Sequence, residues 1–136
     1  MEALYVAVAE VEGGRQGQAR TVDGRAFELT LPVELDGPGS GTNPEQLLAV
    51  AYGAAFGSAL DLEARQLGLD LGKISVACSV SFGHGDDGGY ALEVELRVRL
   101  PEVDAATAAR LLRAAEGTCP YCRMARRNIE LRIVLA

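Results

Sequence analysis

The chain has 136 residues, of which 49% are apolar and 24% charged, and its formal net charge is −6. This length and apolar content predict a single domain, residues 1–136, with a core of its own. The acidic balance disfavours nucleic acid as a partner, because binding to phosphates needs a basic surface. The longest apolar run is broken by glycine and tyrosine and lacks the flanks of a signal peptide, so we expect a soluble, cytoplasmic protein that binds no membrane.

The first third of the chain has the alternation and turn residues of a β-meander. Apolar and polar residues alternate loosely over residues 4–11 and cleanly over residues 26–31, which predicts the first and last of three strands, with a turn at residues 13–17 after the first. Asp23-Gly24 between them is a hairpin signal that tolerates positive φ. The meander ends in the glycine-rich residues 36–41, which predict a loop.

A long helix is predicted from clear start signals. Asn43 is a good N-cap, Pro44 suits the first helical position, and Gln46 lies where a capping box needs it. The pattern extends to about residue 66, just before a glycine.

This helix has no charged residue over positions 47–60, and alanine, glycine and serine fill much of its circumference. A helix that is apolar all round must be buried all round. Because a chain this small can hardly enclose such a helix alone, we expect a homodimer built on it.

The remainder of the chain predicts two strands, a helix and a last strand. The strands are residues 74–82 and 90–100, the amphipathic helix covers residues 104–116 with Asp104 as its cap, and the last strand covers residues 129–135. The order is therefore βββ-α-ββ-α-β, with runs of strands beside separate helices. This order predicts an α+β fold.

The motif Cys119-Pro120-Tyr121-Cys122 holds two of the three cysteines and precedes the basic residues 123–127. Nearby cations lower the pKa of a thiol and favour the nucleophilic thiolate, so the motif predicts redox chemistry or a small disulfide loop. Zinc is the alternative, but it needs two further ligands and only Cys78 and His84 remain. We therefore predict no metal. The odd cysteine count favours a reducing compartment.

The two remaining candidate ligands have simpler interpretations. Cys78 lies on the apolar face of a predicted strand, as expected for a small buried hydrophobe. His84 lies in a turn rich in glycine and aspartate, and we expect it to be solvated.

Four short motifs occur in the order and spacing of a known family. They are Gly13-Gly14-Arg15, Gly41-Thr42-Asn43-Pro44-Glu45-Gln46-Leu47, Cys119-Pro120-Tyr121 and Arg127-Asn128-Ile129. Together they resemble the OsmC/Ohr family, and most of all its organic hydroperoxide resistance branch. The resemblance implies an OsmC/Ohr-like α+β fold, in which the long central helix is wrapped by antiparallel sheets in an intertwined homodimer. It also implies active sites at the dimer interface.

The resemblance further implies a reaction that uses two thiols and no cofactor. In the family, a cysteine on the long helix attacks an organic hydroperoxide and becomes a sulfenic acid, and the cysteine of the Cys-Pro-Tyr motif, Cys119 here, resolves it as a disulfide. A dithiol reductant such as thioredoxin or a lipoylated protein then regenerates the thiols. An arginine and a glutamate, matching Arg15 and Glu45, polarise the peroxide. Apolar Tyr52 and Phe56 would suit a fatty hydroperoxide.

The chain departs from the family at the attacking residue. Where the family usually has Gly-Tyr-Ser-Ala-Cys-Phe, this chain has Ala51-Tyr52-Gly53-Ala54-Ala55-Phe56, so Ala55 stands at the peroxidatic position. Alanine cannot be oxidised, and the usual two-cysteine cycle cannot run. Cys122, at a position not usually cysteine in the family, lies instead beside the retained Cys119.

Three hypotheses follow from this departure. In the first, the chemistry has moved to the Cys119/Cys122 pair, with either thiol attacking and the other resolving. In the second, the protein is catalytically silent, and Arg15 and Glu45 bind an anionic or polar ligand or a partner. In the third, Ala55 is an engineered replacement of a natural cysteine.

Overall fold

Three helices and two three-stranded sheets make up the chain in a computed structural model that describes residues 1–136. The elements are β1 (Ala9–Glu12), β2 (Gln18–Thr21), β3 (Ala26–Glu28), α1 (Pro44–Gln66), β4 (Ser75–His84), β5 (Tyr90–Arg99), α2 (Ala105–Thr118), α3 (Pro120–Ala125) and β6 (Glu130–Leu135). They confirm the predicted α+β class. The chain forms two compact units, residues 1–47 and 48–136, and one domain for the whole chain stays a prediction.

The first unit is built on the antiparallel sheet β1-β2-β3. Gly24, with φ +90°, makes the tight turn predicted for the hairpin, and its N–H donates to the carbonyl of Thr21 at 2.9 Å. The predicted strand over residues 4–11 is shorter than expected, because β1 begins only at Ala9. β2 ends at Thr21 and offers residues 1–7 no ladder partner, so these residues are exposed.

The start of α1 follows its sequence signals. The Asn43 side-chain oxygen accepts a hydrogen bond from the N–H of Gln46 at 2.9 Å, as an N-cap residue does. The Gln46 side chain accepts from the hydroxyl of Thr42 at 2.9 Å, instead of closing the predicted capping box. Gly68, with φ +69°, follows the last turn, so the predicted end near residue 66 is confirmed.

The second unit contains the sheet β4-β5-β6. Strands β4 and β5 pair antiparallel, with Cys78 opposite Leu96, and β5 buries alternate side chains as predicted: Val94, Leu96 and Val98. The sheets were predicted to be antiparallel, but β6 pairs with β5 in parallel. This expectation was wrong because α2 and α3 supply the long crossover that a parallel neighbour requires.

Helix α1 is buried on one side of its circumference. Tyr52, Phe56 and Leu60 have no exposed surface, whereas Val50 is 72% and Leu62 is 48% exposed. The prediction that the helix is buried all round is therefore not met within one chain. A single chain leaves an apolar stripe of α1 in water, which is costly at about 25 cal/mol per Å².

Helix α1 is also long and apolar enough to cross a membrane by length and composition, with 28% of its most apolar window buried. This criterion is weak, because the core helix of a soluble protein meets it too.

Candidate active site

Arg15 lies on a single turn of 3-10 helix, Gly14–Gln16, between β1 and β2. Gly13 and Gly14 adopt positive φ of 77° and 58°, a conformation that costs glycine little. Gly17 closes the turn, and a β-carbon there would lie 1.8 Å from the carbonyl oxygen of Glu12. The glycines around Arg15 therefore set the backbone that presents its side chain.

The Arg15 guanidinium donates two parallel hydrogen bonds to the carboxylate of Glu45. Nη1 donates to Oε2 at 2.8 Å and Nη2 donates to Oε1 at 2.7 Å. The Arg15 side chain is 37% exposed and that of Glu45 is 18% exposed. The predicted pair is thus present as a two-pronged ion pair, the geometry that fixes an arginine most firmly.

Glu45 is held in its charged form. It lies in the first turn of α1, and the hydrogen bonds from Arg15 lower the pKa of its carboxyl, although burial opposes them. Both partners therefore carry charge at neutral pH, and the guanidinium keeps a fixed orientation.

The two thiols of the Cys-Pro-Tyr-Cys motif lie in the core of the second unit. Cys119 caps α3 and Pro120 is its first residue. The spacing of three places Cys119, Cys122 and Ala125 on one face, and each is at most 2% exposed. Both cysteines are in the free thiol form.

The surroundings of Cys122 raise the pKa of its thiol, whereas the sequence predicted that the pKa would be lowered. Burial, followed by electrostatic repulsion between the two sulfurs of Cys119 and Cys122 when both are ionised, raises the pKa of the Cys122 thiol to about 12. The expected lowering by the basic segment is not found at this residue, because Arg123 is exposed to water while Cys122 is buried. Cys122 is therefore protonated at neutral pH in the resting protein.

Tyr52 meets this motif from α1. Its ring centroid lies 5.5 Å from that of Tyr121, at an interplanar angle of 59°. Burial, and then the adjacent Cys122 thiol, raise the pKa of its hydroxyl. Sequence reasoning assigned Tyr52 to an apolar substrate surface and missed its hydroxyl, since only the fold brings it to Cys122.

The other proposed substrate-binding residues are also part of the core. Phe56 is fully buried, and Ala55 is half-buried and packs against the same core. Their surroundings are apolar, as predicted. The binding of a hydroperoxide by these residues stays a prediction.

Cys78 and His84 are separate features of β4. Cys78 is half-buried, and burial raises the pKa of its thiol. His84 is exposed and stacks on Tyr90 with ring centroids 5.1 Å apart. No three His, Cys, Asp or Glu side chains gather in a way that could hold a metal ion.

The chain is similar over nearly its whole length to known proteins. The profile of the OsmC-like protein family matches residues 37–134. An organic hydroperoxide resistance protein of Xanthomonas axonopodis pv. citri is 41% identical over 139 aligned positions, which cover 99% of this chain and 96% of that protein.

Solved structures agree with the sequence comparisons. An organic hydroperoxide resistance protein of Legionella pneumophila superposes with a TM-score of 0.94 at 34% identity, covering 99% of both chains. The organic hydroperoxide resistance protein OhrB of Bacillus subtilis gives 0.90 at 33% identity, covering 98% of this chain and 100% of that one. With the predicted motifs and the α+β fold in place, these matches show that the chain belongs to the OsmC/Ohr family.

Proposed function

We propose that this protein is a thiol-dependent peroxide-defence protein that reduces organic hydroperoxides through Cys119 and Cys122. The observation that carries the proposal is the pair of free thiols three residues apart on one face of α3. The two-pronged pair of Arg15 and Glu45 supports it, because a fixed guanidinium is suited to stabilise a departing alkoxide. Relatives named organic hydroperoxide resistance proteins support the substrate class.

The proposed reaction is a two-electron exchange between a dithiol and a peroxide. One thiolate attacks the hydroperoxide, a sulfur–oxygen bond forms, the oxygen–oxygen bond breaks, and the alkoxide leaves and takes a proton. The second thiol attacks the resulting sulfenic acid, so that a disulfide forms and water leaves. One hydroperoxide becomes an alcohol, and the Cys119/Cys122 pair is oxidised to a disulfide, which a dithiol reductant then reduces.

Removing Cys119 is expected to abolish dithiol-driven consumption of cumene hydroperoxide. In Cys119→Ser the pair can no longer close a disulfide, and the burial of Cys122 shields its sulfenic acid from the external dithiol, so turnover stops after at most one oxidation of Cys122. Cys78→Ser is the matched control, because Cys78 lies outside the motif and should keep the rate of the unmodified chain. Equal consumption by the unmodified chain and Cys119→Ser would show that the pair is not the reductant.

The functional form is proposed to be a cytoplasmic homodimer that uses no cofactor and binds neither nucleic acid nor membrane. Four α1 residues one helical turn apart, Val50, Ala54, Ser58 and Leu62, are exposed in a single chain and offer an apolar or small surface for a second copy. The exposed Leu4, Tyr5 and Val6 near the N-terminus offer more. Exposed apolar surface of this kind marks an interaction site.

Ala54→Glu is expected to turn the dimer into a monomer. The substitution places a carboxylate in the middle of the α1 stripe, where pairing with a second copy would bury it without a partner. Size-exclusion chromatography with light scattering measures the mass. Ala106→Glu puts the same charge on the exposed side of α2 and should remain dimeric. A stable monomer of the unmodified chain at micromolar concentration contradicts the proposal.

The alternative function is ligand binding by a catalytically silent family member. It is favoured by Ala55 at the peroxidatic position and by the burial that raises the pKa of Cys122. In this case Arg15 and Glu45 bind a small polar ligand or a partner. Introducing a cysteine at position 55 separates the two functions.

A further inference from the structure

The hydroxyl of Tyr52 is buried and has no hydrogen-bond partner of ordinary geometry. Buried polar groups are almost always paired, because a hydroxyl removed from water without a partner destabilises the fold. Phenylalanine would fill the same space without this penalty. The hydroxyl is therefore an exception that calls for an explanation.

The thiol of Cys122 lies beside this hydroxyl, at the first turn of α3. Other titratable groups lie near the pair. Cys119 and Glu116 raise the pKa of the Cys122 thiol, and Cys78 of β4 raises the pKa of the Tyr52 hydroxyl. Glu116 and Cys119 disfavour a negative charge on the Cys122 sulfur, whereas the Tyr52 hydroxyl favours it.

The chemistry of sulfur explains why the hydroxyl has no good partner in the resting state. A neutral thiol is a weak acceptor, while a thiolate is a strong one that shortens and strengthens the bond. A donor held in a dry core, aimed at an atom that becomes charged only during reaction, stabilises that charge without reorganisation. Tyr52 is held in this way by its complete burial and its contact with Tyr121.

We propose that Tyr52 is a positioning residue whose hydroxyl donates a hydrogen bond to the Cys122 sulfur as its negative charge forms, and so promotes attack by Cys122. This inference rests on the proposed function for its role in peroxide reduction. The Cys122 sulfur takes the hydroxyl group of the peroxide while the alkoxide leaves with the bonding electrons and gains a proton. Cys119 then displaces that oxygen as water and closes the disulfide, which leaves both sulfurs oxidised by one electron each.

The first test measures the reactivity of Cys122 as the only thiol, in a Cys78→Ser, Cys119→Ala background. Its rate of alkylation by iodoacetamide is followed by intact mass between about pH 6 and pH 9, where the thiolate fraction rises with pH. Adding Tyr52→Phe is expected to lower the rate about tenfold at each pH, because one charge-assisted hydrogen bond is lost. Tyr90→Phe removes an exposed phenolic hydroxyl and should leave the rate unchanged. Equal rates with and without the Tyr52 hydroxyl overturn the inference.

The second test needs no reactive thiol. Serine accepts a hydrogen bond better than cysteine, so Cys122→Ser should melt at a higher temperature than Cys122→Ala while Tyr52 is present. In the Tyr52→Phe background this order should disappear or reverse, because the serine hydroxyl is then unpaired. If the two melting temperatures keep the same order with and without the Tyr52 hydroxyl, the proposed hydrogen bond is contradicted. Neither test uses a peroxide. A protein that does not reduce hydroperoxides, but whose Cys122 reactivity depends on Tyr52, would therefore refute the proposed function and leave the hydrogen bond standing.

Discussion

Ala55→Cys is expected to reduce cumene hydroperoxide faster than the unmodified chain by about a hundredfold or more. The family resemblance places position 55 where the peroxidatic thiol belongs, and Ala55 is half-buried on α1. The resemblance implies that a sulfur there is ionised and oriented by the arginine of the family motif, and in this chain that arginine, Arg15, is held by Glu45. The rate is measured with excess dithiothreitol as the reductant.

Ala106→Cys is the matched control for this substitution. It adds a thiol to an exposed position of α2, outside the proposed dimer seam, so a general effect of an extra cysteine would raise both rates. An unmodified chain that is inert beside an active Ala55→Cys would identify a silenced peroxidase and favour the binding function. Activity in neither protein would mean that the resemblance carries only the fold.

Arg15→Ala is expected to lower hydroperoxide reduction about 10²- to 10³-fold, the usual effect of removing one donor that stabilises a developing oxyanion. Both hydrogen bonds to the Glu45 carboxylate are lost with the guanidinium. Arg15→Lys retains the charge without the two-pronged geometry and should recover only part of the rate. Arg20→Ala removes a nearby exposed arginine and should have little effect. A rate unchanged in Arg15→Ala would exclude this residue from the reaction.

The stabilisation of the fold by the Arg15–Glu45 ion pair is expected to be lost in acid. Arg15 lowers the pKa of Glu45 below its usual 4.5, so the stabilisation by the pair is complete above that value. It is lost as the pH falls through the lower pKa of the folded state. The contribution of Arg15 to the rate should therefore be constant near neutral pH and decline only in acid.

Features encoded by neighbouring residues could be predicted from the sequence. The start of α1 depends on Asn43 and Pro44, which act on the helix they precede. The buried face of β5 follows from the alternation of its side chains. Arg15 and Glu45 were found through the family motifs, and their pairing across 30 residues of chain is present as expected.

Features that depend on contacts between distant elements could not be predicted. Helix α3 is six residues long, too short to show a convincing period, although Pro120 after Cys119 was a usable start signal. The burial of Cys122 and its raised pKa arise from packing in the core, which local charge counting cannot show. The parallel pairing of β6 follows from where α2 and α3 return the chain.

The most direct measurement is a single-turnover titration of the reduced, unmodified protein with cumene hydroperoxide, followed by alkylation and peptide mass spectrometry. The protein holds three free thiols. We expect one equivalent of hydroperoxide to be consumed per chain, one equivalent of alcohol to form, and Cys119 and Cys122 to be joined in a disulfide while Cys78 stays free. Three alkylated thiols and unconsumed hydroperoxide would contradict the assignment of peroxide reduction to the Cys119/Cys122 pair.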